Sequence, residues 1–369
     1  MSQWSKNARV NNISILIILL ISFLTTLILF FDPYPYRSSD LMECILSLQN
    51  GKFHHIFIAV RPILPFLAII SPLPPELTLS IISLCSFIAS YFICSYYVKS
   101  LFPSSRISFY GAYFTNFVFP LILTSSARMA DAFSYFLSLC VLALFVKNFK
   151  RELAKNRLWV YLGLFSGLIV LVRENIWASI IAVCLCLLLA RKVKTLLTYI
   201  LSAIIIPVTW NLYTSFSYGL NYLTAFYTSV SLSIKYSGVA YNPWKVLGYF
   251  IDGLTPFLLA FTLLWILNEV DRDRFKLLHI ISLPFISAAI LWPGLYEPRI
   301  VIVALPAIAP LTGYGANILI ERLSTQPIYG KLGRDRIEYA VLISYFLFNI
   351  LMAYLNNGLR FSYIFSKIY

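Results

Sequence analysis

Apolar residues come in long windows parted by short polar stretches, near 12 to 31, 76 to 98, 107 to 124, 131 to 147, 158 to 172, 175 to 190, 195 to 213, 246 to 267, 277 to 293, 300 to 320 and 337 to 356. A helix rises about 1.5 Å per residue, so about twenty apolar residues cross a hydrocarbon core of about 30 Å, and shorter windows suffice inside a bundle. The pattern therefore predicts an all-α, polytopic membrane bundle of about 11 transmembrane helices. Composition agrees: hydrophobic residues make up 60% of the 369, charged residues 12%, and mean hydropathy is +0.80. These values exclude an ordinary soluble domain.

One segment does not fit the pattern. Residues 56 to 70, "IFIAVRPILPFLAII", are short and interrupted by Arg61, Pro62 and Pro65. Were this segment to span, Arg61 would sit in the membrane at roughly 2.5 to 3.5 kcal/mol, and every later loop would change side. If it does not span, about two thirds of the 29 Lys and Arg fall on the inner side, as the positive-inside rule asks. It is read as a re-entrant or interfacial piece on the outer side, sheltered by the bundle. The N-terminus is then cytoplasmic. The first window has full spanning length and no small-residue cleavage site, so it is expected to be a retained helix and not a signal peptide.

Two outer segments carry a different periodicity. In 39 to 49, Leu41, Ile45 and Leu48 recur at helical spacing with Cys44 beside them, while Glu43 and Ser47 face the other way. A short amphipathic helix in the interface fits this. The second outer loop, about 214 to 245, holds Tyr218, Tyr222, Phe226 and Tyr227, suited to another interfacial helix; the rings serve as a membrane-interface belt or as stacking faces for a sugar. The formal charge of +14 comes in short clusters between spanning windows, which argues against nucleic acid as a partner. The six cysteines form no CxxC pair and no disulfide framework. No repeat or soluble domain interrupts the chain, so residues 1 to 369 are expected to form a single membrane module whose main outer loop is about 32 to 75.

The few charges at the outer edge carry the candidate chemistry. Asp32, Asp40, Glu43, Arg61, Arg128, Asp131, Arg173, Glu174, Glu297 and Arg299 all fall at or just inside that boundary, several interrupting otherwise apolar runs. Ionisable groups at such depth are costly and line a cavity, pair with one another or bind a charged ligand. A purely structural account exists for each. Asp40 and Glu43 have capping-box spacing, and Arg173 with Glu174, or Glu297 with Arg299, would serve as ion pairs linking helices.

The run "SSDLMECILSLQNGKF" resembles the first outer loop of the glycosyltransferase C (GT-C) superfamily, where an Asp at a short helix start precedes a Gly by about eleven residues, as Asp40 precedes Gly51. In order along the chain, "RPILPFL", "SARMADAFSYFL", "GLFSGLIVLVRENIW" and "EPRIVIVALPAI" resemble further segments of that superfamily. Leu41 directly after Asp40, and Cys44 where Tyr is common, depart from its pattern and leave Asp32 open as the matching acid. The absence of a large C-terminal soluble domain points to the smaller lipid-mannosyltransferase-like members.

The resemblance implies a GT-C fold and a sugar donor on a polyprenyl phosphate such as dolichyl phosphate, presented in the outer leaflet. It also implies transfer, with inversion, of a mannose-like hexose to a lipid, glycan or protein acceptor. The catalytic candidates are Asp40 as general base, Asp131 to orient acceptor or sugar, and Glu43. Asp32, Arg61, Arg128, Arg173, Glu174, Glu297 and Arg299 are the candidates for binding substrate. Arginine suits a phosphate, being permanently charged and able to donate two parallel hydrogen bonds. The scattered carboxylates make no recognisable metal motif, and no cofactor is called for. Two other classes compete: a transporter of lipid-linked or small anions, expected to keep its charges near the midplane between inverted repeats, and a non-catalytic subunit of the same fold.

Overall fold

The computed structural model describes residues 2 to 31, 39 to 53, 55 to 126, 130 to 149, 156 to 237, 243 to 267, 272 to 291, 300 to 327 and 332 to 358. Its elements are α1 (Ser2–Phe31), α2 (Ser39–Gln49), α3 (Ile56–Val60), α4 (Ile63–Ile70), α5 (Pro75–Leu101), α6 (Ser105–Asn116), α7 (Phe119–Ser126), α8 (Ala130–Phe149) and α9 (Asn156–Val170). A 3-10 turn at Glu174–Ile176 leads into α10 (Trp177–Leu189), then α11 (Val193–Tyr218), α12 (Tyr222–Ser237), α13 (Pro243–Leu267), α14 (Arg272–Leu291), α15 (Val301–Thr325) and α16 (Arg334–Gly358). Among the described residues six helices are long and apolar enough to cross a membrane, or seven if the bent pair α6–α7 counts as one. Shorter apolar helices at Ile13–Ile28, Asn156–Val170, Glu174–Leu189 and Leu277–Ile290 occupy the other expected windows.

The helix at the centre is α15. Residues 301 to 313 are buried without interruption, and α6, α13, α14 and α16 pack around it. Helices that pack on one side and face outward on the other expose leucines and phenylalanines such as Leu16, Phe92, Leu201 and Leu347. An apolar outer surface of this kind suits lipid as solvent, where packing between helices comes from close backbone approach and not from hydrophobic burial. Gly163 and Gly167 of α9 supply such an approach to α11: a Cβ at Gly167 would stand 2.3 Å from the Ala203 carbonyl oxygen.

The structure corrects one window. Residues 107 to 124, read as a single span, form two helices meeting at 58°. Pro120 lacks an N–H and disfavours helical backbone in the residue before it. The donor freed at the break is satisfied from α16, where the buried Asn349 accepts from the Phe119 N–H at 2.8 Å.

The polar-apolar alternation of 39 to 49 reappears as α2, with Leu41, Cys44, Ile45 and Leu48 buried and Glu43 exposed. The helix ends through Gly51, whose φ of +69° lets the Lys52 N–H reach the Ser47 carbonyl at 2.8 Å. The segment 56 to 70 is not one helix but two short ones, α3 and α4, parted at Arg61–Pro62. The indole N–H of Trp210 on α11 donates to the Ile58 carbonyl at 2.9 Å, and the Ile63 N–H donates to the Leu171 carbonyl at 3.4 Å. The α3–α4 break is thereby anchored between α11 and the end of α9.

Candidate functional site

That anchoring fixes the position of Arg61. The proline after it stops α3, and the bond from Ile63 to Leu171 holds the break beside the turn that carries Glu174. The Arg61 Nε–H donates to Glu174 Oε2 at 2.6 Å, and its Nη2 donates to Oε1, a two-pronged arrangement that only a guanidinium can make. The Glu174 side chain is 4% exposed and that of Arg61 24%. Burial alone would disfavour the carboxylate's charge, but Arg61, with Arg173 adding to it, outweighs burial and holds Glu174 below the usual carboxylate range.

The neighbouring residue points elsewhere. Arg173 has extended backbone, φ −163° and ψ 136°, and its Nη1 pairs with Asp131 Oδ1 in the first turn of α8. This differs from the expectation that Arg173 and Glu174 pair with each other: successive residues in extended chain project to opposite sides, so each finds a partner on a different element. Arg61, Glu174, Arg173 and Asp131 thus form an alternating, formally neutral quartet that ties the α3–α4 break, the turn before α10 and the start of α8 together.

Neutral polar groups continue the quartet inward. Asn175, next to Glu174, donates to the Ser134 hydroxyl at 3.4 Å, and Ser134 donates to the Asp131 carbonyl at 3.0 Å. Tyr222 at the start of α12 lies near the Arg61–Glu174 pair and within reach of Trp177. Sequence reasoning missed Asn175 and Ser134, because an uncharged residue at a window edge gives no signal of unusual cost.

Other expected residues are placed differently or lie outside the description. Helix α2 begins at Ser39, so Asp40 sits within its first turn and not at its cap; the Asp40 side chain lies outside the described residues. Glu43 projects from the exposed face of α2, away from that helix's buried face. Asp32, Arg128, Glu297 and Arg299 lie outside the described residues. Cys44, on the buried face of α2, has its thiol pushed up to about 12 by burial, which removes it as a nucleophile.

The far end of the bundle is basic. Along α8 the rise from Asp131 to Lys147 is about 24 Å at 1.5 Å per residue. Near Lys147 the Lys192 ammonium reaches the Phe149 carbonyl at 3.5 Å, and Lys147 itself stands over the Tyr96 ring. Arg334 at the start of α16 bonds Asn317 of α15 at 3.2 Å.

No protein-family model and no curated protein matches the chain. Among solved structures it is similar to ArnT from Cupriavidus metallidurans bound to undecaprenyl phosphate, with a TM-score of 0.58 and 11% identity over 91% of this chain and 70% of that one. The apo state of the same protein gives 0.53 and 12% over 91% and 71%. At such identity the likeness is one of architecture: the chain is a multi-helix membrane protein with an ArnT-like fold.

Proposed function

We propose that the chain is a membrane glycosyltransferase of the GT-C superfamily, a single module that uses a polyprenyl-phosphate-linked sugar. The observation that carries this reading is the quartet Arg61–Glu174–Arg173–Asp131, four charges from three distant segments gathered at one end of a bundle whose fold is shared with ArnT, itself crystallised with undecaprenyl phosphate. On this reading all eleven windows cross the membrane, and the quartet opens to the extracytoplasmic side, which the basic opposite end supports.

A polyprenyl tail gains about 0.8 kcal/mol per buried CH2 and keeps its phosphate at the membrane edge. Arg61, the more exposed guanidinium of the two pairs, is the one to meet that phosphate, exchanging part of its bond to Glu174 for the ligand. The acceptor hydroxyl oxygen attacks C1 of the sugar from the face opposite the leaving group and gives its proton to the Asp40 carboxylate. The C1–O bond breaks with its electron pair passing to the phosphate, releasing polyprenyl phosphate. Negative charge grows on that oxygen in the transition state, so a nearby guanidinium lowers the barrier. Asp131, held by Arg173, orients acceptor or sugar. A mannose-like hexose is the sugar favoured, with Asp32 the other acid able to act as base.

Purified protein in nanodiscs, given undecaprenyl-phosphate-linked [14C]mannose and membranes as acceptor pool, is expected to transfer label and release undecaprenyl phosphate. Asp40→Asn is expected to lower the rate by about 10² to 10⁴ with the melting temperature unchanged. Full activity in Asp40→Asn would remove Asp40 as the base; no turnover with that donor or its glucosyl counterpart would remove the enzymatic reading.

A further inference from the structure

Every charge in the quartet has an opposite charge beside it, yet in the turn and helix that follow Glu174 two neutral groups are left over. One polar atom of the Asn175 amide is tied to Ser134, while the other, its carbonyl oxygen, has no partner, and the residue is 9% exposed. Ser179 in the first turn of α10 is fully buried, and its hydroxyl also has no partner. Four residues apart, the two side chains project from one side of the turn and helix. A buried amide or hydroxyl without a partner is costly, and neither group carries charge to attract a phosphate.

We infer that Asn175, with Ser179 four residues on, is a subsite for the hydroxyl groups of a neutral sugar, distinct from the guanidinium groups that would hold phosphate. The inference rests on the proposed use of a polyprenyl-phosphate-linked donor and specifies which residues read the transferred group. The free carbonyl oxygen of Asn175 accepts, matching the O–H of a sugar hydroxyl, and the Ser179 hydroxyl can both donate and accept. Ser134, which holds the amide nitrogen and itself donates to the Asp131 carbonyl, is a positioning residue that fixes the orientation of the free oxygen. Such a site favours hydroxylated sugars and rejects an analogue lacking the hydroxyl, because the amide would again be left unpaired.

The test compares binding of bare undecaprenyl phosphate with its mannosyl and glucosyl forms, by thermal shift and titration of full-length protein in nanodiscs. The wild type is expected to bind a glycosylated carrier about tenfold or more tighter than the bare one, and Asn175→Ala to bind both alike while keeping wild-type affinity for the bare carrier. Ser179→Ala, which removes a hydroxyl that bonds nothing, is expected to fold normally and to reduce the preference in the same direction. An unchanged preference in both variants overturns the subsite, as does an equal loss for bare and glycosylated carrier. Wild-type protein that binds the bare carrier but gains nothing from either sugar overturns the subsite alone; failure to bind any of the three lipids overturns the donor reading with it.

Discussion

At the residue scale the Arg61–Glu174 pair is where charge, burial and geometry meet. Removing one partner leaves the other buried and uncompensated, which costs more than the pair contributes over an apolar pair of similar size. Arg61→Ala is therefore expected to destabilise on the order of 3 kcal/mol, and Arg61→Met with Glu174→Leu to recover most of it, measured by thermal unfolding in detergent. Acid adds a second signature. Because Glu174 is held below the unfolded carboxylate value of about 4.3, its contribution is fully present above that pH and is lost as pH falls through the lower folded value. The melting temperature of the wild type is expected to hold through mildly acidic pH and fall below about 4, with a shallower fall in Glu174→Gln. The sequence showed that these charges are expensive and share one level, but not who pairs with whom. Pairing depends on the extended backbone at Arg173 and on the break at Pro62, and neither leaves a periodic trace.

At the element scale the hydrophobic windows located the helices well, because a membrane forces length and apolarity on each span. They missed the bend between α6 and α7, since Pro120 could equally have started a new turn or kinked a continuous helix, and the residue that stabilises the break, Asn349, lies 230 positions away. The amphipathic α2 was legible for the opposite reason: burying one face gives a local period. Packing between α9 and α11 depends on small residues at a four-residue spacing. Gly167→Leu places its side chain against the Ala203 carbonyl and is expected to lower the melting temperature markedly by forcing the helices apart, together with the Ser166–Tyr199 hydrogen bond at 3.0 Å. Gly248→Ala, where a Cβ meets nothing within 4 Å, is the matched control and is expected to be neutral. Equal melting temperatures for the two variants would contradict the packing account.

At the scale of the whole molecule the two ends of the bundle differ in charge balance: one gathers the neutral quartet, the other an excess of lysines and arginines at the ends of α5, α8, α10 and α15, even with Glu321 paired to Arg334. Translocating a basic loop is unfavourable, so the proposed orientation, with the quartet facing away from the cytoplasm, follows from this difference and is open to a direct test. Lys52 follows α2 at the quartet's end, and Lys194, in the first turn of α11, belongs to the basic end; both are exposed. In intact cells Lys52→Cys is expected to react with a membrane-impermeant maleimide and Lys194→Cys to react only after permeabilisation, with the unsubstituted chain as background. The native cysteines interfere little, since Cys44 is buried and Cys85 lies within the apolar span of α5. The opposite labelling pattern would turn the bundle over, put the paired arginines on the cytoplasmic side, and require a donor presented from the inner leaflet. Labelling of both positions from outside would instead mean that an odd number of the windows between α2 and α11 does not cross, with the short helices α9 and α10 the first to re-examine.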